Sequence, residues 1–294
     1  MSAVQLNLTQ YRGNRVLDPL RFTFSALNRH HYPDFRKEIL SSERIQRLLI
    51  KKDVAASDTL FPISEANRIL NGMQASMSRS VLRFAGWFLH IFLSRIFPRG
   101  VFVGEANLAK VEELSRKGAV VYLPTHKSYF DFILVTFACY ANHIQAPFIA
   151  AGDNFRIPFI GWLAKKLGAF FIRRKLEGTS QLYKALLAEY VTQILEGGCN
   201  LEFFIEGARS RSGRITYPKF GLLSRVVEAA LDGKAGDIYL VPVGISFEKL
   251  LDTGYPREVC QTHFQPARTL TPNSQSPHFS SFWEFQRSTK LSSG

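Results

Sequence analysis

The chain has 294 residues, of which 46% are hydrophobic and 21% are charged, a composition typical of a globular protein with a sizeable core. Its formal net charge of +13 indicates a polyanionic partner: nucleic acid, anionic lipid or a phosphorylated substrate. The lysines and arginines are spread along the chain and form no recognised binding module, so we expect no nucleic-acid partner. The composition therefore favours one large domain with an appendage.

The cysteines and the hydrophobic segments indicate which kinds of protein this chain is not. Cys139, Cys199 and Cys260 are far apart and odd in number, which argues against a metal knuckle and against a disulfide framework. We therefore expect an active site that faces a reducing compartment. The first residues lack the apolar run of a secretory signal, and the most hydrophobic segment, 81–98, is interrupted by charged residues. The sequence predicts no membrane-spanning helix.

The first hundred residues have few strand formers. Residues 1–35 are basic and are expected to be irregular, whereas 36–52 and 64–78 have helical spacing, so we predict an N-terminal helical region over 1–100. Residues 79–98 are rich in aromatic residues and arginine, and two interpretations stay open. They form either a buried core helix or a helix that lies in a membrane interface.

From residue 105 onwards, predicted strands alternate with predicted helices. This alternation indicates an α/β domain over 101–262, with a largely parallel sheet flanked by helices. Strands are predicted at 119–124, 146–151, 169–172, 201–205 and 238–246, and helices at 105–117, from Ser128 onwards, and at 159–167, 179–196 and 221–231.

Polar residues follow several of these strands, where a parallel sheet binds its ligands. The side chains include a histidine, acids and several arginines, a set suited to an anionic substrate. In chain order they are His126 after the first strand, Asp153 after the second, Arg173 and Arg174 after the third, and Glu206, Gly207 and Arg209 after the fourth.

His126 and Asp131 are the candidate catalytic pair. Ser128 followed by Asp131 has the spacing of a helix N-cap with its capping-box partner, which would let Asp131 reach back to His126. A carboxylate on one imidazole nitrogen frees the other nitrogen to act as a base. An Asp131 that only caps a helix is the alternative. The chain has neither a P-loop nor a G-x-S-x-G elbow, so the base is expected to activate a substrate hydroxyl directly.

Four blocks of sequence follow one another along the chain: Thr125–Asp131 (THKSYFD), Gly168–Arg174 (GAFFIRR), Phe204–Arg211 (FIEGARSR) and Leu240–Ser246 (LVPVGIS). In this order they resemble the glycerol-phosphate acyltransferase family over roughly residues 65–260. Within the family, the chain is similar both to mitochondrial-type glycerol-3-phosphate acyltransferases, which we favour, and to dihydroxyacetone-phosphate acyltransferases.

The resemblance implies acyl transfer from acyl-CoA to the sn-1 hydroxyl of glycerol 3-phosphate, giving lysophosphatidic acid at the first step of glycerolipid synthesis. Dihydroxyacetone phosphate, used in ether-lipid synthesis, is the alternative acceptor. His126 would be the base and Asp131 would orient it; no metal or other cofactor is implied. The implied substrate-binding residues are Arg173, Arg174, Glu206, Gly207, Arg209, Ser210 and Pro242.

The resemblance also implies an anionic membrane surface as a partner. It favours the mitochondrial outer membrane, with the peroxisome or endoplasmic reticulum as alternatives. The chain departs from the family pattern at Lys127 and Ala208, and after residue 260 the likeness fades. Residues 263–294, rich in Ser, Thr and Pro, are expected to form a disordered, atypical tail. A non-catalytic, truncated form that binds membranes or lipid phosphates therefore stays open as a third interpretation.

Overall fold

The structure is a computed structural model. It describes most of the predicted site residues. The described residues are 3–6, 30–49, 61–97, 101–128, 130–153, 158–173, 180–209 and 216–246. The strands in this part are β1 (Ala3–Leu6), β2 (Val101–Gly104), β3 (Ala119–Pro124), β4 (Phe148–Gly152), β5 (Ala169–Ile172), β6 (Leu201–Glu202) and β7 (Ile238–Val243). The helices are α1 (Arg36–Ser41), α2 (Glu43–Gln46), α3 (Ile63–Met73), α4 (Arg79–Ile96), α5 (Glu105–Lys117), α6 (Asp131–Ala141), α7 (Ile160–Lys166), α8 (Gln181–Glu196) and α9 (Leu223–Leu231).

The central sheet is parallel, which confirms the predicted α/β class. Its five strands lie in the order β5-β4-β6-β3-β7, and every neighbouring pair is parallel. β3 is buried along nearly its whole length, as its continuous apolar sequence requires of a strand covered on both faces. β7 is an edge strand, where Pro242 removes a main-chain donor at little cost.

Several boundaries differ from the sequence-based prediction. The helix predicted from Ser128 begins at Asp131, because the carboxylate of Asp131 holds the preceding loop in a non-helical turn. The strand predicted over 201–205 ends at Glu202. Residues 3–6, expected to be irregular, pair with β2 in an antiparallel ribbon. The partner strand supplies the hydrogen bonds there, and a local pattern cannot reveal such a partner.

The N-terminal helices share one core with the sheet. Ile39 of α1 and Leu70 of α3 lie in the same buried cluster as Phe148 and Phe170 of the sheet. Tyr190 of α8 joins them, because its hydroxyl accepts a hydrogen bond of 3.1 Å from the main chain of Ala75. Burial of apolar surface is the main force in folding, so these helices stabilise the sheet that carries the site.

Helix α4 has two unlike faces. Gly86 packs against the ring of Tyr140 so closely that a Cβ atom there would lie 2.4 Å from a ring carbon. On another face Phe84 and Phe88 are 63% and 51% exposed. The core interpretation of residues 79–98 therefore holds for one face of α4, and the interfacial interpretation stays a prediction for the exposed face. None of the described helices is long and apolar enough to cross a bilayer. The predicted tail, 263–294, lies outside the described residues.

Candidate active site

The site lies where β3 and β6 end side by side in the middle of the sheet. His126 follows β3, and Glu206 follows β6. The main-chain N–H of His126 donates a hydrogen bond of 2.8 Å to Oε1 of Glu206. The carboxyl ends of adjacent parallel strands meet at one edge of the sheet, so residues 80 positions apart come into direct contact.

Asp131 is the buried centre of this loop. Its side chain is fully buried, and its Oδ2 accepts hydrogen bonds from the main-chain N–H groups of Lys127 (2.6 Å) and Ser128 (2.7 Å). Nδ1 of His126 lies 3.3 Å from the same oxygen. Ser128 accepts a hydrogen bond at Oγ from the N–H of Phe130, and with the bond from its own N–H to Asp131 this is the pattern expected of the predicted capping box, although the helix begins only at Asp131. Asp131 therefore both shapes the turn and orients the histidine.

The imidazole of His126 is held on two sides. Asp131 faces Nδ1, and the ring of Phe204 stacks on the imidazole, with centroids 3.9 Å apart and planes 21° apart. The side chain of His126 remains 17% exposed. With Nδ1 directed to a carboxylate, Nε2 is the nitrogen that can take a proton from a substrate hydroxyl.

Sequence reasoning missed the role of Phe204. The residue stands inside a block that carries the family resemblance, but its contact with His126 depends on the adjacency of β3 and β6. The only signal in the sequence was its place two residues before Glu206, near the end of the strand predicted over 201–205.

Glu206 links two segments of the site through hydrogen bonds. It is buried, and both carboxylate oxygens accept hydrogen bonds: Oε1 from His126, and Oε2 from the N–H (3.3 Å) and hydroxyl (3.2 Å) of Thr216. These bonds tie the loop after β3 to the segment that begins at Thr216. The resemblance implies that Glu206 binds substrate; in this structure its carboxylate is occupied by protein donors, as suits a positioning role.

The exposed side of the loop after β6 carries positive charge. Gly207 has φ of +67°, a conformation that favours glycine, and a Cβ there would lie 2.7 Å from Cδ of Lys219. The main-chain N–H of Lys219 donates to the carbonyl of Ile205 at 2.7 Å. Arg209 follows two residues after Gly207 and is half-buried. Lys219 is thus a cation of the site that sequence analysis did not single out.

The other predicted residues lie further out. Arg173 is exposed at the end of the edge strand β5, with its guanidinium 4.7 Å from the ring centroid of Tyr183. β4 separates β5 from β6, so Arg173 lies on the flank of the site. Pro242 is exposed on β7, beside Leu123 of β3. Arg174 and Ser210 lie outside the described residues.

Comparisons with known proteins find relatives for the part of the chain that carries this site. A family model described as Acyltransferase matches residues 105–246, which include β3, β6 and the whole loop of His126. Residues 105–246 therefore contain an acyltransferase domain. It is 34% identical to a probable mitochondrial glycerol-3-phosphate acyltransferase of Caenorhabditis elegans over 247 residues, which is 82% of this chain and 34% of the relative.

Two human acyltransferases are similarly related. The chain is 34% identical to mitochondrial glycerol-3-phosphate acyltransferase 1 over 238 residues (76% of this chain, 29% of the relative). It is 37% identical to dihydroxyacetone phosphate acyltransferase over 224 residues (74% of this chain, 32% of the relative). The chain thus spans about a third of the length of these relatives.

A solved structure also matches, although weakly. It is the 1-acyl-sn-glycerophosphate acyltransferase PlsC from Thermotoga maritima, with a TM-score of 0.28 and 15% identity, covering 55% of this chain and 81% of that chain. A score this low supports no argument about the site.

Proposed function

We propose that the chain transfers an acyl group from acyl-CoA to the sn-1 hydroxyl of glycerol 3-phosphate, forming lysophosphatidic acid. The observation that carries the proposal is the contact of His126 Nδ1 with the buried carboxylate of Asp131, at the edge of a sheet beside a cationic loop. Relatives named for glycerol-3-phosphate acyl transfer support the choice of acceptor.

In the proposed reaction, Nε2 of His126 removes the proton of the acceptor hydroxyl as its oxygen attacks the thioester carbonyl. The new C–O bond forms, the C–S bond breaks, and the CoA thiolate leaves with the proton that the imidazolium returns. Asp131 stabilises the imidazolium, and Arg209 and Lys219 face the phosphate of the acceptor. Arginine and lysine both bind phosphate, the arginine through a planar fork of donors.

Dihydroxyacetone phosphate is the second candidate acceptor. The human dihydroxyacetone phosphate acyltransferase is 37% identical to this chain, against 34% for the human glycerol-3-phosphate enzyme. Both acceptors offer one phosphate and one hydroxyl to be acylated, so the same base and the same cations serve either reaction.

We further propose that the chain works on an anionic membrane surface, as its basic net charge of +13 favours. The exposed rings of Phe84 and Phe88 on α4 are suited to the interface between headgroups and acyl chains. The named mitochondrial relatives favour the mitochondrial outer membrane.

The test is acylation of labelled glycerol 3-phosphate and, in parallel, of labelled dihydroxyacetone phosphate by membranes that contain the full chain. His126→Ala should abolish turnover while the circular dichroism spectrum stays unchanged, and His31→Ala, at an exposed histidine, serves as the control. The better acceptor decides the subfamily. Turnover that survives in His126→Ala would overturn the mechanism, and a folded, membrane-bound chain without activity on either acceptor would indicate the non-catalytic form.

A further inference from the structure

A second acid lies buried near Asp131. Glu202 is the last residue of β6 and is fully buried. It pairs in register with Tyr122 of β3 on one side and with Ile149 of β4 on the other, so it lies in the middle of the sheet. Its electrostatic neighbours include Thr136 and Asp131 of α6, the helix that begins at the catalytic loop.

Glu202 differs from the other buried acids of the described residues. Glu189 is paired with Arg44 and accepts a hydrogen bond from Gln193, and Glu206 accepts bonds at both oxygens. By contrast, neither oxygen of Glu202 forms a hydrogen bond of good geometry within the described part of the chain. The Thr136 hydroxyl is close enough to favour the ionised form, although it too lacks a well-directed bond.

The unpaired atoms form a group. Oδ1 of Asp131, both oxygens of Glu202 and the hydroxyls of Tyr122 and Thr136 are all buried, and none has a well-directed hydrogen bond to the described residues. The thiol of Cys139 on α6 lies beside the Tyr122 hydroxyl and also faces Glu202. Such atoms are uncommon in proteins, because each one costs free energy when it is removed from water. Because the group includes an oxygen of Asp131, the carboxylate that faces His126, we infer that it contributes to the site.

Two charges in this group would repel each other. Burial raises the pKa of Glu202 well above its ordinary value; the Thr136 hydroxyl opposes this shift, and the negative charge of Asp131 adds to it. Burial and the charge of Asp131 therefore both favour the neutral form of Glu202, whose O–H can donate a hydrogen bond.

We propose that Glu202 is a positioning residue for the acyl transfer, acting through Asp131. As a neutral acid behind the buried carboxylate, it contributes a donor to the unpaired group and adds no second charge there. This holds Asp131 in the orientation that His126 requires. The inference rests on the proposed function, since it assigns a role in the same reaction.

Three variants of the full chain test the role in turnover. Glu202→Gln keeps a neutral group with a donor, so kcat and its pH profile should stay within about twofold of wild type. Glu202→Leu removes the polar group, and we expect kcat to fall about tenfold with the KM of both substrates unchanged. Glu189→Leu removes a buried acid on α8, distant in sequence from the catalytic loop, and should lower Tm without lowering kcat.

The outcomes separate the alternatives. Wild-type kcat in Glu202→Leu would overturn the positioning role. A loss of one limb of the pH profile in Glu202→Gln would show that an ionised Glu202 is needed, which also contradicts the proposal.

Two readouts do not depend on turnover. Labelling of His126 by diethyl pyrocarbonate, followed by peptide mapping, should change in rate in Glu202→Leu and not in Glu202→Gln. The folded state holds a proton on Glu202 that the unfolded chain releases above its ordinary pKa, so stability falls as pH rises through this window. Glu202→Gln should therefore raise Tm more at pH 7.5 than at pH 5.

These two readouts distinguish a failure of the inference from a failure of the proposed function. If the chain has no activity but both readouts behave as expected, Glu202 still acts on His126 and only the reaction is wrong. If Tm shows no pH-dependent gain, or His126 labels at the same rate in all variants, the inference fails whether or not the chain is active.

Discussion

The floor and the rim of the site are built in different ways. We define the floor as His126, Asp131, Phe204 and Glu206, and the rim as Arg173, Gly207, Arg209 and Lys219. In the floor, the acids are buried and bonded to main-chain N–H groups of the catalytic loop. In the rim, most residues are exposed and stand on loops or at an edge strand.

The difference indicates that the floor positions the base and that the rim binds the anionic substrate. Buried carboxylates bonded to fixed main-chain donors hold a base in one position, which is what a chemical step requires. Exposed cations attract and bind an anion, but they are screened by salt and move with their loops. Changes in the floor should therefore lower kcat, and changes in the rim should raise the KM of the phosphorylated acceptor.

Asp131→Asn should have the largest effect. An amide cannot stabilise the imidazolium, and its NH₂ group competes with the three donors that meet at Oδ2. We expect kcat to fall roughly 10³- to 10⁴-fold, as in other enzymes whose base loses its orienting carboxylate. Asp153→Asn, at an exposed aspartate that follows another strand, should leave kcat unchanged. Activity near wild type in Asp131→Asn would show that Asp131 only shapes the turn.

Arg209→Ala tests the rim. Loss of one charge-assisted hydrogen bond to a phosphate is worth about 1.5–3 kcal/mol, so the KM of the acceptor should rise roughly 10- to 100-fold while kcat changes little. Arg116→Ala, at an exposed arginine of α5, is the control for lost positive charge. A fall in kcat at constant KM would mean that Arg209 acts on the chemical step, as the floor residues do, and would contradict the distinction between floor and rim.

The sequence predicted part of this arrangement and missed the rest for a physical reason. His126 and Asp131 are five residues apart, so a local pattern reveals the pair. Glu206 meets His126 only because β6 inserts between β4 and β3 in the sheet, and chain order does not give strand order. Arg173 follows the edge strand β5, and both β4 and β6 lie between β5 and β3, so it is further from His126 than the sequence suggested.

Local patterns also fail where one residue has two roles. Asp131 accepts a hydrogen bond from the N–H of Ser128, as the predicted capping box requires. The same carboxylate also accepts from the N–H of Lys127 and faces His126, and the helix begins only at Asp131, which the local pattern did not predict. The fold class and the parallel sheet, in contrast, were predicted correctly. They follow from the alternation of strand and helix patterns, and each pattern is set by many residues together.

Phe204→Leu tests whether the floor needs its aromatic wall. An aromatic pair contributes about 0.5–1.5 kcal/mol beyond its buried area, so we expect kcat to fall roughly 3- to 10-fold with KM unchanged. The neighbouring Phe203 is buried in the main core, so Phe203→Leu should lower Tm and spare kcat. If both variants lose only stability, the stacking on His126 has no role in turnover.

Phe84→Ser should have the smallest effect and concerns neither floor nor rim. If the exposed face of α4 enters a membrane interface, removal of one ring should weaken cosedimentation with anionic vesicles roughly two- to fivefold, because partial burial of one ring contributes about 0.5–1 kcal/mol. The kcat measured with a short-chain, soluble acyl donor should stay unchanged. Leu231→Ser, at an apolar residue of α9 that is 81% exposed, is the matched control. Equal losses of vesicle binding in both variants would mean that α4 has no special place at the membrane, and that the positive charge of the whole surface accounts for binding.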